Sequence, residues 1–180
     1  MIDIEVRVID NKSMKTYLKY HAPIGVLYIK EEDGFLVGIS EDNSALYDYV
    51  DVATLKYIPD TIKRTCRYLD HYFAKKALDI TIPIHIKGSR FMRTVLEECM
   101  KIPYGKTKSY KELAKDVAKI LDKEEMSSQA VGTALSKNPI IIYIPCHRVI
   151  RSDGTAGDYR LGKKIKKQLL AHEDAMFKED

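Results

Sequence analysis

No apolar run in the 180 residues approaches the roughly 20 that a membrane helix requires, which excludes a helical membrane protein. The opening stretch, Met1-Ile2-Asp3-Ile4-Glu5, carries acids and alternates, so it is not a secretory signal and a cytosolic address is expected. Cysteine is scarce. The three residues Cys66, Cys99 and Cys146 share no tight spacing, and the odd number and missing C-x-x-C pair argue against a disulfide framework or a metal clip. In a reducing compartment each thiol either fills space or does chemistry. Internal repeats and low-complexity stretches are also absent.

What is present is an ordinary globular balance of 45% hydrophobic and 31% charged residues, enough for one large domain or two small ones. Charge is unevenly placed. Residues 1–85 carry 11 Lys/Arg against 13 Asp/Glu, a net of −2; residues 86–180 carry 19 against 13, a net of +6; together they give the +4 of the whole chain. The positive half is the candidate for meeting a polyanion, although a solvated lysine-rich surface would look the same.

The first half reads mostly as sheet. Ile2, Ile4, Val6 and Val8 alternate with Asp3, Glu5 and Arg7. Ile24 to Ile29 leads through Asp33-Gly34 into Phe35 to Ile39, the pattern of a hairpin. Thr61 is a candidate cap for a helix with Ile62, Cys66, Leu69 and Phe73 on one face. Asp79 to Ile86 alternates again, with Pro83 marking an edge strand. A domain boundary is expected near Lys87-Gly88.

The second half reads as helices. Ser89 can cap a helix with the stripe Met92, Val95, Leu96 and Cys99, ended by Pro103-Tyr104-Gly105. Ser109 can cap a second, and a third starts at Ser127 or Ser128 and stops before Asn138-Pro139, so the two form a helix-turn-helix candidate. Ala130, Gly132 and Ala134 make that third helix thin. Close approach to another helix or to a nucleic-acid groove would each explain a glycine that costs about 1 kcal/mol there. Ile140 to Ile144 is short and apolar enough for a buried strand, a glycine-bearing loop spans Ser152 to Gly162, and a last helix runs from about Lys163 to His172.

The chemistry concentrates at Ile144-Pro145-Cys146-His147-Arg148-Val149. A cysteine follows an apolar run and a rigid proline, with a histidine beside it. The thiolate is the nucleophile, and a neighbouring imidazole is the usual means of making one near neutral pH. Glu173 could orient the imidazole as the third member of a triad. Cys66 and Cys99 fall on helix stripes and read as core. Taken alone, a Cys-His pair is more often packing than catalysis.

The full string is more specific. Pro-Cys-His-Arg-Val after an apolar run resembles the active-site signature of the O6-alkylguanine-DNA alkyltransferases. The surroundings match in order: Lys108-Ser109-Tyr110, Ala130-Val131-Gly132, Asn138-Pro139, Gly157-Asp158-Tyr159 and Leu169-Leu170-Ala171-His172-Glu173. The close resemblance covers about residues 88–175. It implies an α+β chain, with an N-terminal α/β (ribonuclease H-like) support domain over 1–87. A C-terminal winged helix-turn-helix domain over 88–180 would enter the minor groove of double-stranded DNA and flip an alkylated guanine into a pocket.

By the same resemblance, Cys146 would take the alkyl group irreversibly and once. His147 would receive its proton through a water, with Glu173 holding the ring. Tyr110 would donate a hydrogen bond to guanine N3 where charge develops. The carbonyls of Cys146 and Val149 would read the exocyclic amine, Tyr159 and the backbone of Arg160 would complete the pocket, and Asn138 would be a polar hinge. Gln129, Ala130 and Gly132 would face DNA. Arg148 is kept in that set, although a structural role fits it better. No cofactor is implied, and O4-alkylthymine stays open as a second substrate. Some relatives bind an N-terminal zinc, but here no Cys precedes Cys66, and His21, His71 and His85 lack thiolate partners, so no metal is expected. A monomer without membrane attachment is expected, found wherever the cell keeps DNA.

Two departures stand out. Gln129 occupies the place where the family usually has an arginine before Ala-Val-Gly, and the connection from Tyr110 to Gln129 is about five residues longer than usual, with Lys119 to Glu125 as the charged excess. Two rivals remain: a non-catalytic reader of alkylated bases, whose relatives have lost the cysteine, and a cysteine hydrolase, which seldom places nucleophile and base side by side.

Overall fold

The computed structural model describes residues 5–6, 15–41, 50–51 and 58–179, and the chain divides into units Met1–Ile86 and Lys87–Asp180. The first unit holds strands β1 (Glu5–Val6), β2 (Lys15–Ala22), β3 (Gly25–Glu32), β4 (Phe35–Ser40) and β5 (Val50–Asp51), then helix α1 (Asp60–Phe73). β1 pairs antiparallel with β5, and β2, β3 and β4 form an antiparallel sheet in that order. Asp33 and Gly34 take φ of 51° and 87°, so the expected hairpin closes through a two-residue turn whose twist suits the strands. Of the alternation expected over Ile2 to Val8, only β1 lies within the described residues.

One strand of this unit was not expected, and three expectations are corrected. Strand β2 went unread, although Thr16, Leu18 and Tyr20 alternate inward along it. Thr61 lies inside α1, where its hydroxyl donates to the carbonyl of Gly34; Pro59 precedes the helix and provides no side-chain cap. The buried face of α1 is Ile62, Thr65, Leu69 and Tyr72, which leaves Cys66 and Phe73 half-buried at its margin. Residues 79–86 do alternate, with Ile82 and Ile86 buried, but they meet β4 through a single bridge, Leu36 to Ile84. Pro83 has no N–H to extend the ladder, and its carbonyl accepts from the N–H of Leu36 at 2.8 Å.

The second unit holds α2 (Arg90–Met100), β6 (Lys108–Ser109), α3 (Tyr110–Ile120), α4 (Ser128–Ser136), a 3-10 turn (Cys146–Arg148), β7 (Val149–Ile150) and α5 (Lys163–His172). Its helices α2, α3 and α4 begin where serine caps them, whereas α5 follows Gly162 with no side-chain cap. Ser89 Oγ accepts from the N–H of Met92, Ser127 Oγ from that of Ala130, and Ser109 forms a reciprocal capping box with Glu112. Val95, Leu96, Leu113, Val117, Val131 and Leu169 are each fully buried between the helices. Burial of this kind contributes about 1.5–3 kcal/mol per side chain.

Ile140 to Ile144 is buried as expected but is not a strand. Ile142 has φ of 70°, and the N–H of Tyr143 donates to the carbonyl of Ile141 at 2.9 Å, a γ-turn of the strained hand. Pro145 then takes φ −82° and ψ 58°, and the N–H of Cys146 donates to the carbonyl of Ile144, a second γ-turn of the relaxed hand. Asn138 holds both ends of this double turn. Its Oδ1 accepts from the N–H of Ile140 at 3.0 Å, and its Nδ2 donates to the carbonyl of Ile144 at 2.9 Å.

Candidate active site

The double turn delivers Cys146 to the floor of a cleft of about 600 Å³, lined among others by Tyr110, Gln129, Gly132, Tyr159 and Arg160. β6 lies parallel to β7, pairing Lys108 with Val149 and Ser109 with Ile150. That pairing brings the start of α3, and Tyr110 with it, beside the residues that follow the cysteine. A Cβ on Gly132 would stand 3.7 Å from the Tyr110 ring. The thin face of α4 meets α3 through that ring at ordinary contact distance and borders the cleft.

Cys146 is 5% exposed, and Asn138 Nδ2 donates to its Sγ at 3.1 Å. Burial raises the thiol above its ordinary value, against the pull of the Asn138 hydrogen bond and the charges of Lys166 and Arg160. The resting group is thus a thiol. Burial also lifts Cys66 to about 12 and Cys99 well above the ordinary range. What distinguishes Cys146 is its opening on the cleft.

His147 is fully buried, and its Nε2 lies 2.6 Å from Glu173 Oε1. Burial lowers the imidazole against the attraction of Glu173, so the ring is neutral at pH 7. Burial would raise the Glu173 carboxyl, but the hydrogen bonds from His147 and Arg148 and the Arg148 charge outweigh it and hold the group down to about 2. An ionised Glu173 accepts, so Nε2 carries the proton and Nδ1 the lone pair. This is the orientation a base requires.

Arg148 corrects its place among the DNA-facing candidates. It is 5% exposed; its Nε and second terminal nitrogen donate to Glu173 at 2.8 and 3.1 Å, and the first terminal nitrogen donates to the carbonyl of Ile102 at 2.6 Å. Val149 is fully buried, and its carbonyl already accepts from Lys166 Nζ at 2.6 Å, leaving one lone pair for any further reading. Asn138 is fully buried beneath the cleft, and Arg160 donates to its backbone carbonyl at 3.1 Å. The Tyr159 ring stands edge-on to His147 with centroids 6.4 Å apart. Gln129 is exposed on the cleft rim, Ala130 half-buried beside it.

Lys166 is the residue that sequence reasoning missed. It is fully buried, and its Nζ donates to the carbonyls of Val149 and Asp158 and, at 3.4 Å, to the hydroxyl of Tyr110. Burial pushes its ammonium down to about 8, against the attraction of Cys146 and Asp158. Burial likewise lifts the Tyr110 phenol to about 12, so that hydroxyl remains a donor. Helical spacing was the available signal, since 166, 169 and 170 share one face of α5 and Glu173 follows directly after its end.

The chain is similar to known proteins over most of its length. Residues 90–175 match the family described as 6-O-methylguanine DNA methyltransferase, DNA binding domain. A methylated-DNA–protein-cysteine methyltransferase of Saccharolobus solfataricus is 35% identical over 175 residues, 92% of this chain and 100% of that one. The protein of the same name from Sulfolobus acidocaldarius is 33% identical over 159 residues, 87% of this chain and 92% of that one. The crystal structure of Mycobacterium tuberculosis OGT in complex with DNA superimposes with a TM-score of 0.71 at 28% identity, over 88% of this chain and 92% of that one. With its Pro-Cys-His-Arg-Val turn set in a cleft and backed by a buried carboxylate, the chain belongs to the methylated-DNA–protein-cysteine methyltransferase family, the O6-alkylguanine-DNA alkyltransferases.

Proposed function

We propose that the protein repairs DNA by direct reversal, moving one alkyl group from O6-alkylguanine to Cys146. The observation that carries this is a thiol on the floor of an open cleft with a neutral, correctly tautomerised imidazole next in sequence. His147 Nδ1 takes the thiol proton through a bridging water. The Cys146 thiolate attacks the alkyl carbon, the S–C bond forms, the C–O6 bond breaks, and the electron pair stays on the guanine. Tyr110 donates toward N3 of the departing base, and Lys166 beside that hydroxyl adds positive charge where negative charge grows. The thioether product has no good leaving group, so turnover stops after one event.

The α3–α4 pair, followed by the turn at residues 151–155, serves as a winged helix-turn-helix that enters the minor groove of duplex DNA. The first unit, a ribonuclease H-like sheet domain, supports it. The reaction needs no cofactor or metal, and the protein acts as a monomer. Intact mass after reaction with a methylated oligonucleotide tests the proposal: one methyl group per chain, on the peptide containing Cys146, is expected, and Cys146→Ala keeps DNA binding while taking up no label. An adduct on Cys66 or Cys99 refutes it.

A further inference from the structure

Glu173 accepts from one donor that no side chain supplies. The backbone N–H of Gly105, in the loop between α2 and β6, lies 3.1 Å from Glu173 Oε2. Two observations show that this approach is specific to a glycine. Gly105 has φ of 71°, a conformation L side chains rarely adopt, and a Cβ there would stand 2.9 Å from the backbone carbonyl of Glu173.

The rest of the loop is tied to the same place. Tyr104 donates from its hydroxyl to the carbonyl of His172 at 3.3 Å, and Thr107 to that of Met176 at 3.4 Å. Ile102 accepts from Arg148, whose guanidinium lies 5.7 Å from the centre of the Tyr104 ring. Glu173 thus carries two donors on each oxygen: His147 and Arg148 on Oε1, Arg148 and Gly105 on Oε2.

We propose that Gly105 is a positioning residue for alkyl transfer, its N–H fixing the rotation of the Glu173 carboxylate so that Oε1 meets His147. Arg148 bridges both oxygens and is itself anchored on the carbonyl of Ile102. The Gly105 amide adds a donor fixed by the backbone of the same loop, so the carboxylate cannot turn without losing it. Without it the carboxylate swings, the contact with His147 weakens, and the imidazole becomes a poorer base for the Cys146 proton. This inference rests on the proposed alkyl transfer and deepens it.

Two variants of the full chain test it: Gly105→Ala, which adds the clashing Cβ, and the residue-105 amide replaced by an ester through incorporation of glycolic acid, which deletes only the N–H. Single-turnover transfer from O6-benzylguanine separates the outcomes, since the amplitude reports the folded fraction and the rate constant the chemistry. The ester variant is expected to keep its amplitude and lose about tenfold in rate constant, the scale of one charge-assisted hydrogen bond. The acid limb of its pH–rate profile should move to lower pH as His147 loses the support of Glu173. Gly105→Ala should slow at least as much in whatever fraction folds. A rate constant and profile unchanged in the ester variant, or a loss confined to amplitude, overturns the role of Gly105. An unmodified protein that takes up no benzyl group would instead overturn the proposed reaction.

Discussion

A carboxylate at the end of a helix normally sits in water, yet Glu173 is 2% exposed because three donor groups converge on it. Removing it leaves the guanidinium of Arg148 buried without its anion, so Glu173→Ala should cost about 3–5 kcal/mol in denaturant unfolding. The same group sets an acid limit. Its folded value of about 2 against an ordinary 4.5 stabilises the protein above pH 4.5, and that contribution fades as pH falls toward 2. His147 acts in the same direction, since burial lowers it from 6.5 and the unfolded chain binds that proton more readily. Stability should therefore decline continuously from about pH 6.5 downward; a flat stability profile between pH 7 and 4 would contradict the buried pair. In transfer kinetics, His147→Ala and the milder Glu173→Gln should each slow the reaction strongly, and the double variant should cost far less than their sum. Additive losses would reduce Glu173 to a helix-end support. Cys146, His147 and Glu173 were legible because the motif fixes their order and their chemistry is that of the side chain. Gly105 was not, because its contribution is a backbone N–H. Lys166 was hidden among Lys163, Lys164 and Lys167, of which only the helical period singles it out.

At the level of elements, local signals carried furthest where one residue type has one use. Ser89, Ser109 and Ser127 cap as their positions imply, and α5 spans Lys163–His172 as read. Ile140 to Ile144 defeated the same reasoning. Its composition favours a strand, but the fold bends it through Ile142 at φ 70°, a conformation that costs a β-branched residue about 1–3 kcal/mol. Full burial of four isoleucines and the Asn138 hydrogen bonds offset that cost. Strand β2 was missed for the opposite reason, since polar Thr16 on its inner face and aromatic Tyr17 on its outer face blur the alternation. α4 presents Gln129 to the cleft without the positive charge that would attract phosphate. Extruding a base costs a few kcal/mol of stacking and pairing, and an arginine filling the gap can recover part of it. Gln129→Arg should therefore speed repair in duplex DNA and change little on free O6-benzylguanine, which requires no extrusion. An equal gain on both would place the effect in the pocket; no gain on either would assign the task to the longer 119–125 connection, testable by shortening it.

At the scale of the whole molecule, the split of −2 and +6 between the two halves predicts where salt acts. Each phosphate neutralised on duplex DNA releases counterions and adds about −0.9 to the slope of log affinity against log salt. Lys111 and Lys115 stand exposed one turn apart on α3, the helix that also carries Tyr110 into the cleft. Of the acids beside them in sequence, Asp116 is held 2.6 Å from Lys108 and Glu112 is engaged in the capping box with Ser109. Lys63 and Lys76, equally exposed, lie in the first unit, where acids outnumber bases over residues 1–85. Replacing Lys111 and Lys115 with Gln in the full chain should weaken duplex binding and flatten the salt slope by up to about 1.8, while Lys63→Gln with Lys76→Gln leaves the slope within error. Both pairs should transfer the benzyl group from free O6-benzylguanine at the unmodified rate, because none of the four side chains touches the thiol or its base. A slope that follows Lys63 and Lys76 would move the DNA surface to the first unit and leave the basic half as a merely solvated one. A slow reaction with the free base in the Lys111 and Lys115 pair would show instead that these charges act on the chemistry, through the field felt by Cys146, and not on the encounter with DNA.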